Sequence, residues 1–399
     1  LTPAVLSSPD PRSSDRTPAR LAVTRLTVTR FRSYLTARLD CDARPVVLTG
    51  PNGAGKTNLL EAVSFLAPGR GLRRARLAEI ERTGPAEGWA GPGWAVAATL
   101  ETPAGPVEIG TGRDPAAGPE SERRLVQIDG RAAKGQIALA RHVAVVWLTP
   151  QMDRLFLEAA SGRRRFLDRL VFGFDPAHAG RLSQYEAALR ERARLLREGP
   201  ADPAWLTTLE DRMATLGVAV AAARADMVAR LAAAAALGVG PFPAPGMAMA
   251  GGVDDLVAAG PALAAEDALR RTLRDSRRRD AEAGGAAIGP HRSDLCVTCR
   301  AKEMPAERGS TGEQKALLIA IVLANARLMK AETGTAPLLL LDEVAAHLDA
   351  DRRAALFAEI LATGSQAWMT GTDAQVFAEL GAAASHVRVE DSRLAPAKI

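Results

Sequence analysis

Cysteine is scarce in this chain. Cys41, Cys296 and Cys299 are the three in 399 residues, too few for a disulfide framework and suited to a reducing compartment, so a cytoplasmic protein is expected. Long apolar runs are missing too. No stretch approaches the roughly 18 consecutive apolar residues of a membrane span, and the alanine-rich tract near 217–237 is broken by Arg224, Asp226 and Arg230; no membrane association is expected. The first twenty residues, rich in Pro, Ser, Arg and Asp, lack the apolar centre of a secretory signal and read as a disordered extension. Aromatic residues make up 4% of the chain, and Phe166 apart none interleaves its arginine clusters, which argues against base stacking on single strands as the main binding mode. Cys296 and Cys299 lack a second ligand pair and, on an expected strand, point to opposite faces, so they read as structural rather than as a zinc or redox site. No internal repeat is visible.

What is present is a soluble-type composition with a formal charge of +5, which favours a polyanionic partner. Residues 21–49 alternate as strands do, and the buried-strand run PVVLTG leads directly into GPNGAGKTNLLEAVSFL, where Leu59, Leu60, Val63 and Leu66 have helical spacing. Gly- and Pro-rich residues 84–130 carry short strand-like pieces that predict an antiparallel β-layer beside the main sheet. From about 153 to 235 the pattern turns helical, with one stripe at Leu182, Tyr185, Leu189 and Leu196 and another at Leu206, Leu209, Met213, Leu216 and Val220, which predicts a short antiparallel helical pair. Residues 236–262 read as loop and about 264–282 as a third helix. Alternating strands and helices then return. The expected fold is therefore one α/β domain interrupted by a helical lobe: an extension over 1–20, a first part of the domain over 21–152, the lobe over 153–285 and the second part over 286–399.

Three stretches carry chemistry. Gly50-Pro51-Asn52-Gly53-Ala54-Gly55-Lys56-Thr57 fits the phosphate-binding pattern, after an expected strand and before an expected helix. Glycines there let backbone N–H groups turn around phosphates, Lys56 reaches the β- and γ-phosphates, and the Thr57 hydroxyl holds Mg²⁺. The strand PLLLLDE ends in Asp342, placed for the Mg²⁺ shell, and Glu343, placed to polarise an attacking water. The third stretch is GSTGEQKALL. Ser310 or Thr311 can cap the helix that follows, yet the exposed N–H groups, Gly312 and the Ser310 hydroxyl also make a second phosphate site, which a second molecule's nucleotide could need.

GPNGAGKTN, STGEQKALL and LLLLDEVAAHLD resemble the Walker A, signature and Walker B/D-loop set of ATP-binding-cassette ATPases of the SMC-like branch. With LTVTRFRSY, IGPHRSDL and the helical segment from Gly162, the resemblance is closer to the RecF family of bacterial recombination and repair proteins. That resemblance implies two-lobed heads that dimerise around two ATP molecules, with Ser310, Thr311, Gly312, Glu313 and Gln314 of one subunit on the γ-phosphate held by the other. It adds Asn58 to the nucleotide contacts, matches Gln151 to the Q-loop position that senses Mg²⁺ and the attacking water, and matches Asp349 to the D-loop aspartate. Thr370 or Thr372 stands where transporters carry a switch histidine, and His291 belongs to a family motif of unassigned role.

Arg70, Arg73, Arg74 and Arg76 cluster after the phosphate-loop helix. Arg163, Arg164, Arg165 and Arg169 open the lobe, and Arg270, Arg271, Arg274, Arg277, Arg278 and Arg279 crowd its return. Arginine forks suit phosphate oxygens and need no base reading, so salt-sensitive binding to duplex or gapped DNA is expected. The family resemblance implies slow, DNA-stimulated ATP hydrolysis and, with RecR and RecO, loading of RecA onto single strands coated by SSB. A transporter ATPase subunit would have a shorter segment between phosphate loop and signature, and a chromosome-organising SMC ATPase would have long heptad arms and a hinge.

Overall fold

The computed structural model describes residues 20–82, 93–114, 116, 118, 121–199 and 202–397. The expected extension, Arg20 apart, lies outside them. Strands β1 (Ala22–Phe31) and β2 (Tyr34–Asp40) form a hairpin, and β3 (Val46–Thr49) runs through the glycine-rich loop into helix α1 (Lys56–Ser64). A short α2 (Leu77–Ile80) precedes the meander β4 (Ala95–Thr102), β5 (Gly105–Arg113), β6 (Arg124–Ile128) and β7 (Arg131–Ala132). Strand β8 (Val145–Leu148) ends in the 3₁₀ turn Pro150–Arg154. Helices α3 (Ala160–Phe174), α4 (Ala177–Glu198) and α5 (Pro203–Ala236), strand β9 (Pro245–Ala250), and helices α6 (Gly252–Ala259), α7 (Ala262–Asp275) and α8 (Arg277–Ala283) make the lobe. The chain then forms β10 (Asp294–Cys299), β11 (Met304–Pro305), α9 (Thr311–Thr333), β12 (Leu338–Leu341), α10 (Ala350–Thr363), β13 (Ala367–Gly371), β14 (Ser385–Glu390) and β15 (Arg393–Pro396).

The central sheet has the order β15-β14-β3-β13-β12-β8, parallel except for β15. All residues of β3, β12 and β13 are buried, as a parallel sheet covered on both faces requires. Their alternation divides the core in two. Val47, Leu339, Leu341 and Met369 pack with α9, whereas Val46, Leu48, Leu338, Leu340 and Trp368 pack with α1 and the antiparallel sheet β2-β1-β4-β5-β6-β7. That second sheet is the expected β-layer. Gln366, fully buried, sews the two sheets together: it accepts from Val23 N–H at 2.8 Å and Trp368 Nε1–H at 3.1 Å and donates to the Val23 and Asp42 carbonyls at 2.9 and 2.8 Å.

Helices α4 and α5 carry the two expected stripes, and Tyr185, Ala188, Met213, Val218, Leu269 and Leu273 form the lobe's own core. Several expectations are corrected. The helical region begins with a separate α3, because Asp175-Pro176 interrupts the run before α4. The stretch expected to be loop contains β9, which pairs with β10, and α6; the expected third helix is α7 and α8, parted at Ser276.

Buried polar bonds tie the helices of the lobe to one another and to the chain's return at Pro290 and His291. Arg224, 1% exposed, pairs with Asp168 of α3 at 2.8 Å through both Nε and Nη2 and donates to Pro290 O at 2.6 Å. His291 Nε2–H donates to Ala286 O at 2.9 Å, which leaves Nδ1 to accept from the Tyr185 hydroxyl at 2.7 Å. Burial depresses the His291 pKa and keeps the ring in this neutral form. The GPHRSDL motif thus fastens the chain's return to α4 and α5.

Replacing Gln366 by Leu would take the partner from the Val23 and Trp368 N–H donors and from the Asp42 carbonyl, and leave the Val23 carbonyl with the Cys41 thiol alone. The expected loss is roughly 2–4 kcal/mol of stability in denaturant unfolding; a change within about 0.5 kcal/mol would show that the sheets hold together without this side chain.

Candidate functional site

The glycine-rich loop leaves the C-terminal edge of the parallel sheet, where ligands of such sheets bind. Gly50 has φ 150°, and a Cβ there would lie 2.0 Å from Val389 O; Gly55, at φ 109°, would drive one into the Tyr34 hydroxyl at 2.7 Å. Both positions require glycine. Lys56, 5% exposed, folds back and donates to Gly50 O at 2.6 Å and Pro51 O at 2.8 Å. Burial lowers its pKa, opposed by the nearby charges of Glu343 and Asp342.

Three elements converge on one carboxylate oxygen. The Thr57 hydroxyl, from α1, and the Thr370 hydroxyl, from β13, each donate to Asp342 Oδ1 at 2.8 Å, and Glu343 N–H donates to Thr370 Oγ1 at 2.9 Å. Glu343 is held at φ 54°, a conformation that non-glycine residues adopt sparingly. Asn52, Gly53, Gly55, Lys56, Thr57, Asn58, Arg73 and Glu343 line a cleft of about 120 Å³. The structure therefore gathers the phosphate loop and the second carboxylate at one cleft.

Sequence reasoning missed the brace behind it. Glu61, fully buried on α1, accepts a fork from Arg32 at 2.8 and 2.7 Å and a third bond from Arg73 at 3.0 Å. Asn58 donates to Ser33 Oγ at 2.9 Å and accepts from Arg73 at 2.8 Å, and the Tyr34 hydroxyl donates to Gly55 O at 3.1 Å. The turn Arg32-Ser33-Tyr34 thus fixes the loop and helix from the side. Thr370 was a candidate for the switch position, but it is 1% exposed with its hydroxyl already engaged, while Thr372 is exposed.

Ser310 caps α9: Glu313 N–H donates to Ser310 Oγ at 3.3 Å and Ser310 N–H to Glu313 Oε2 at 2.7 Å. Lys302, with those Ser310 bonds, holds the Glu313 carboxyl down at about 2. Gln314 turns inward to donate to Gly309 O at 2.9 Å, so Ser310, Thr311 and Gly312 are the exposed part of this turn. None of residues 310–314 lines the cleft of its own chain, nor do Gln151 or Asp349. Gln151 is exposed in the turn after β8, and Asp349 caps α10 by accepting from Arg352 N–H at 2.8 Å.

The expected DNA-contacting arginines divide. Arg163 forks onto Asp294 at 2.7 Å and ties down the carbonyls of Leu155, Phe156 and Glu158, and Arg164 donates to Ser293 O at 2.7 Å, so both serve the fold. Arg73 belongs to the cleft. Arg76 faces Glu122 at 3.9 Å, and Arg270 pairs with Asp211 at 2.6 Å and with Asp267. Arg70, Arg74, Arg165, Arg271 and Arg274 are exposed.

A phosphate loop and paired carboxylates on one parallel sheet, with a capped, exposed helix start on the same domain, define an ABC-type P-loop ATPase head of the SMC-like kind. The comparisons agree. A family model described as "AAA domain, putative AbiEii toxin, Type IV TA system" matches residues 46–106. An SMC head domain from Pyrococcus furiosus, solved with an extended coiled coil, superimposes with a TM-score of 0.53 at 15% identity, covering 95% of this chain and 96% of that one. A structure of the recombination mediator protein RecF with ATP superimposes with a TM-score of 0.81 at 20% identity, covering 96% of this chain and all of that one. In sequence, the chain is 51% identical to the DNA replication and repair protein RecF of Allorhizobium ampelinum over 93% of this chain and 98% of that protein. It is 49% identical to RecF of Rhizobium leguminosarum bv. trifolii over 94% and 99%. The chain belongs to the RecF family of DNA replication and repair proteins.

Thr370→Val keeps the shape of the buried side chain but leaves Asp342 one donor short and Glu343 N–H without its acceptor. Hydrolysis should slow roughly tenfold to a hundredfold, with ATP affinity changed by less than about threefold. Single-turnover hydrolysis beside equilibrium binding of a fluorescent ATP analogue checks this; full activity would remove Thr370 from the site.

Proposed function

We propose that this protein is an ATP-driven DNA clamp of recombinational repair and replication restart, in which two copies close face to face around two ATP molecules and grip duplex or gapped DNA. The observation that carries this reading is the separation of the two phosphate-binding features. Thr311 and Gly312 present backbone N–H groups at an exposed helix start, with the Ser310 hydroxyl beside them, yet all three lie outside the cleft made by Lys56 and Thr57 of their own chain. A partner's nucleotide gives them a use. ATP then acts as part of the interface.

The residues fit the chemistry. Lys56 leaves the Gly50 and Pro51 carbonyls and turns its ammonium to the β- and γ-phosphates, exchanging two neutral acceptors for charged ones. Thr57 and Asp342 are hard oxygen donors that suit Mg²⁺, and among the described residues no group of three or more His, Cys, Asp or Glu side chains could cage a metal, so nucleotide oxygens and water would complete its shell. Mg²⁺ held there would draw charge off the phosphate oxygens. Glu343, at the cleft wall, takes a proton from the attacking water; Gln151 orients that water; and Asp349 meets the partner across the interface. Slow hydrolysis reopens the dimer, and bound DNA stimulates it.

Family membership supports the wider role: the related solved structure is described as a mediator in the RecFOR pathway. On that basis RecR and RecO are the partners in loading RecA onto SSB-coated single strands, in the cytoplasm. No helix among the described residues is long and apolar enough to cross a membrane.

Lys56→Arg keeps the charge but misplaces the donor, so hydrolysis should fall about a hundredfold while ATP affinity falls less than tenfold; normal turnover would count against the assigned cleft. Glu343→Gln should hold duplex DNA in the presence of ATP for at least ten times longer than the parent, in stopped-flow release by competitor. Release at the parental rate would remove Glu343 from the role of base.

A further inference from the structure

Many of the described arginines are paired with carboxylates, and among those that are not, four meet at the seam where α3 faces the segment after α1. Arg169 of α3 stacks its guanidinium 4.1 Å from the Trp147 ring centroid and 5.5 Å from that of Phe166. Its Nη2 reaches the Met152 sulfur at 3.9 Å, and its buried Nε has no acceptor. Burial, with the charge of Arg74 beside it, pushes the Arg169 guanidinium down to about 9. Arg74 itself sits at φ 57°, in the left-handed region, and its pKa is lowered by partial burial and by the charges of Arg165 and Arg70. Glu186 is the acidic neighbour that opposes this, and it already faces Arg190 at 3.9 Å. Among the described residues Arg70, Arg74 and Arg165 make no hydrogen bond or ion pair.

Four like charges with only Glu186, itself facing Arg190, to oppose them cost the free protein stability, and a strained backbone at Arg74 adds to that cost. The cost is recovered when an anion arrives. Arg165 and Arg169 lie one turn apart on the same face of α3, and the segment carrying Arg70 and Arg74 comes from the other lobe, so the seam is assembled by the fold and not by one sequence cluster. Phosphate oxygens are the chemistry that several guanidinium forks share. Nucleotide phosphates and DNA phosphodiesters both offer them, but Arg74 and Arg165 are exposed and neither lines the nucleotide cleft. We propose that this seam binds a phosphodiester of duplex DNA, with Arg74 and Arg165 on the phosphate, Arg70 at the edge, and Arg169 as the positioning residue behind Arg74. The proposal rests on the reading of the protein as an ATP-driven duplex clamp. Arg169 also touches Trp147 of β8 and Met152, the neighbour of Gln151, so an occupied seam bears on the turn that carries Gln151 and supplies a route for DNA to raise hydrolysis.

The test measures binding of a fluorescent duplex of about 30 base pairs over a range of salt, with ATP and Mg²⁺, in the Glu343→Gln background. Adding Arg74→Gln and Arg165→Gln should weaken binding at least tenfold and flatten the slope of log Kd against log salt by about 2, while Arg131→Gln, a charge removed from an exposed strand elsewhere, changes affinity less than twofold. Arg74→Gln should melt no lower than the parent, because it relieves repulsion. Arg169→Lys should retain most of the affinity and of the DNA stimulation of hydrolysis, measured with Glu343 intact, whereas Arg169→Met should lose both; a purely structural arginine would lose equally in the two. Parental affinity and salt slope in the double variant overturn the site, as does a loss of ATP affinity with duplex affinity retained, which would assign these arginines to the nucleotide. A parent that binds no duplex with ATP overturns the clamp reading itself.

Discussion

The structure turns on a single buried carboxylate. Asp342, 6% exposed, receives the hydroxyls of Thr57 and Thr370 on the same oxygen, and through them the helix after β3, the end of β12 and the end of β13 become one unit. Neutral hydroxyls compensate a buried negative charge incompletely, which leaves the place predisposed to a cation. The same contact sets the neighbouring backbone: Glu343 N–H bonds to Thr370 Oγ1, and its φ of 54° turns its side chain to the cleft wall. A change at Asp342 would therefore be felt at once in the phosphate loop, the second carboxylate and the strand between them.

The lobe is held with comparable economy. Asp168 accepts from Arg224 and pairs with His178 Nε2 at 2.9 Å, so two helices of the lobe are oriented on α3, while Tyr185 and His291 fasten α4 to the chain's return. Such buried polar networks specify geometry because an alternative packing would strand their members. If ATP draws two copies together, the arginine seam, made by α3 on one side and the segment after α1 on the other, is where a shift between lobes would be registered.

Local chemistry was legible in the sequence, and partnership was not. The phosphate loop could be read because glycine spacing, lysine and threonine act within eight residues, and the LLLLDE strand because a parallel sheet buried on both faces needs an unbroken apolar run. The antiparallel layer was visible in its alternation. By contrast, PAPGMAMA reads as loop, since its identity as a strand comes from β10, more than forty residues later. Arg163 and Arg165 look alike in GRRRFLD, yet one is consumed by Asp294 and the other is exposed. Thr370 and Thr372 stood as alternatives at the switch position, and the bond of Thr370 to Asp342 was not readable; Glu61 looked like an ordinary helix residue until Arg32 and Arg73 were seen to enclose it. The GSTGEQKALL stretch is a capping box in its own chain and leaves Ser310, Thr311 and Gly312 exposed, which the proposed contact with a second copy's nucleotide requires.

The central claim is that this turn completes a nucleotide site in another copy. The most direct measurement is the mass of the protein in solution by light scattering, taken for Glu343→Gln with and without ATP and Mg²⁺, and again with Ser310→Arg added. The account predicts a monomer without ATP, twice that mass with it, and a return to monomer in the double variant while ATP remains bound. A monomer under every condition, or a dimer indifferent to Ser310→Arg, would contradict it.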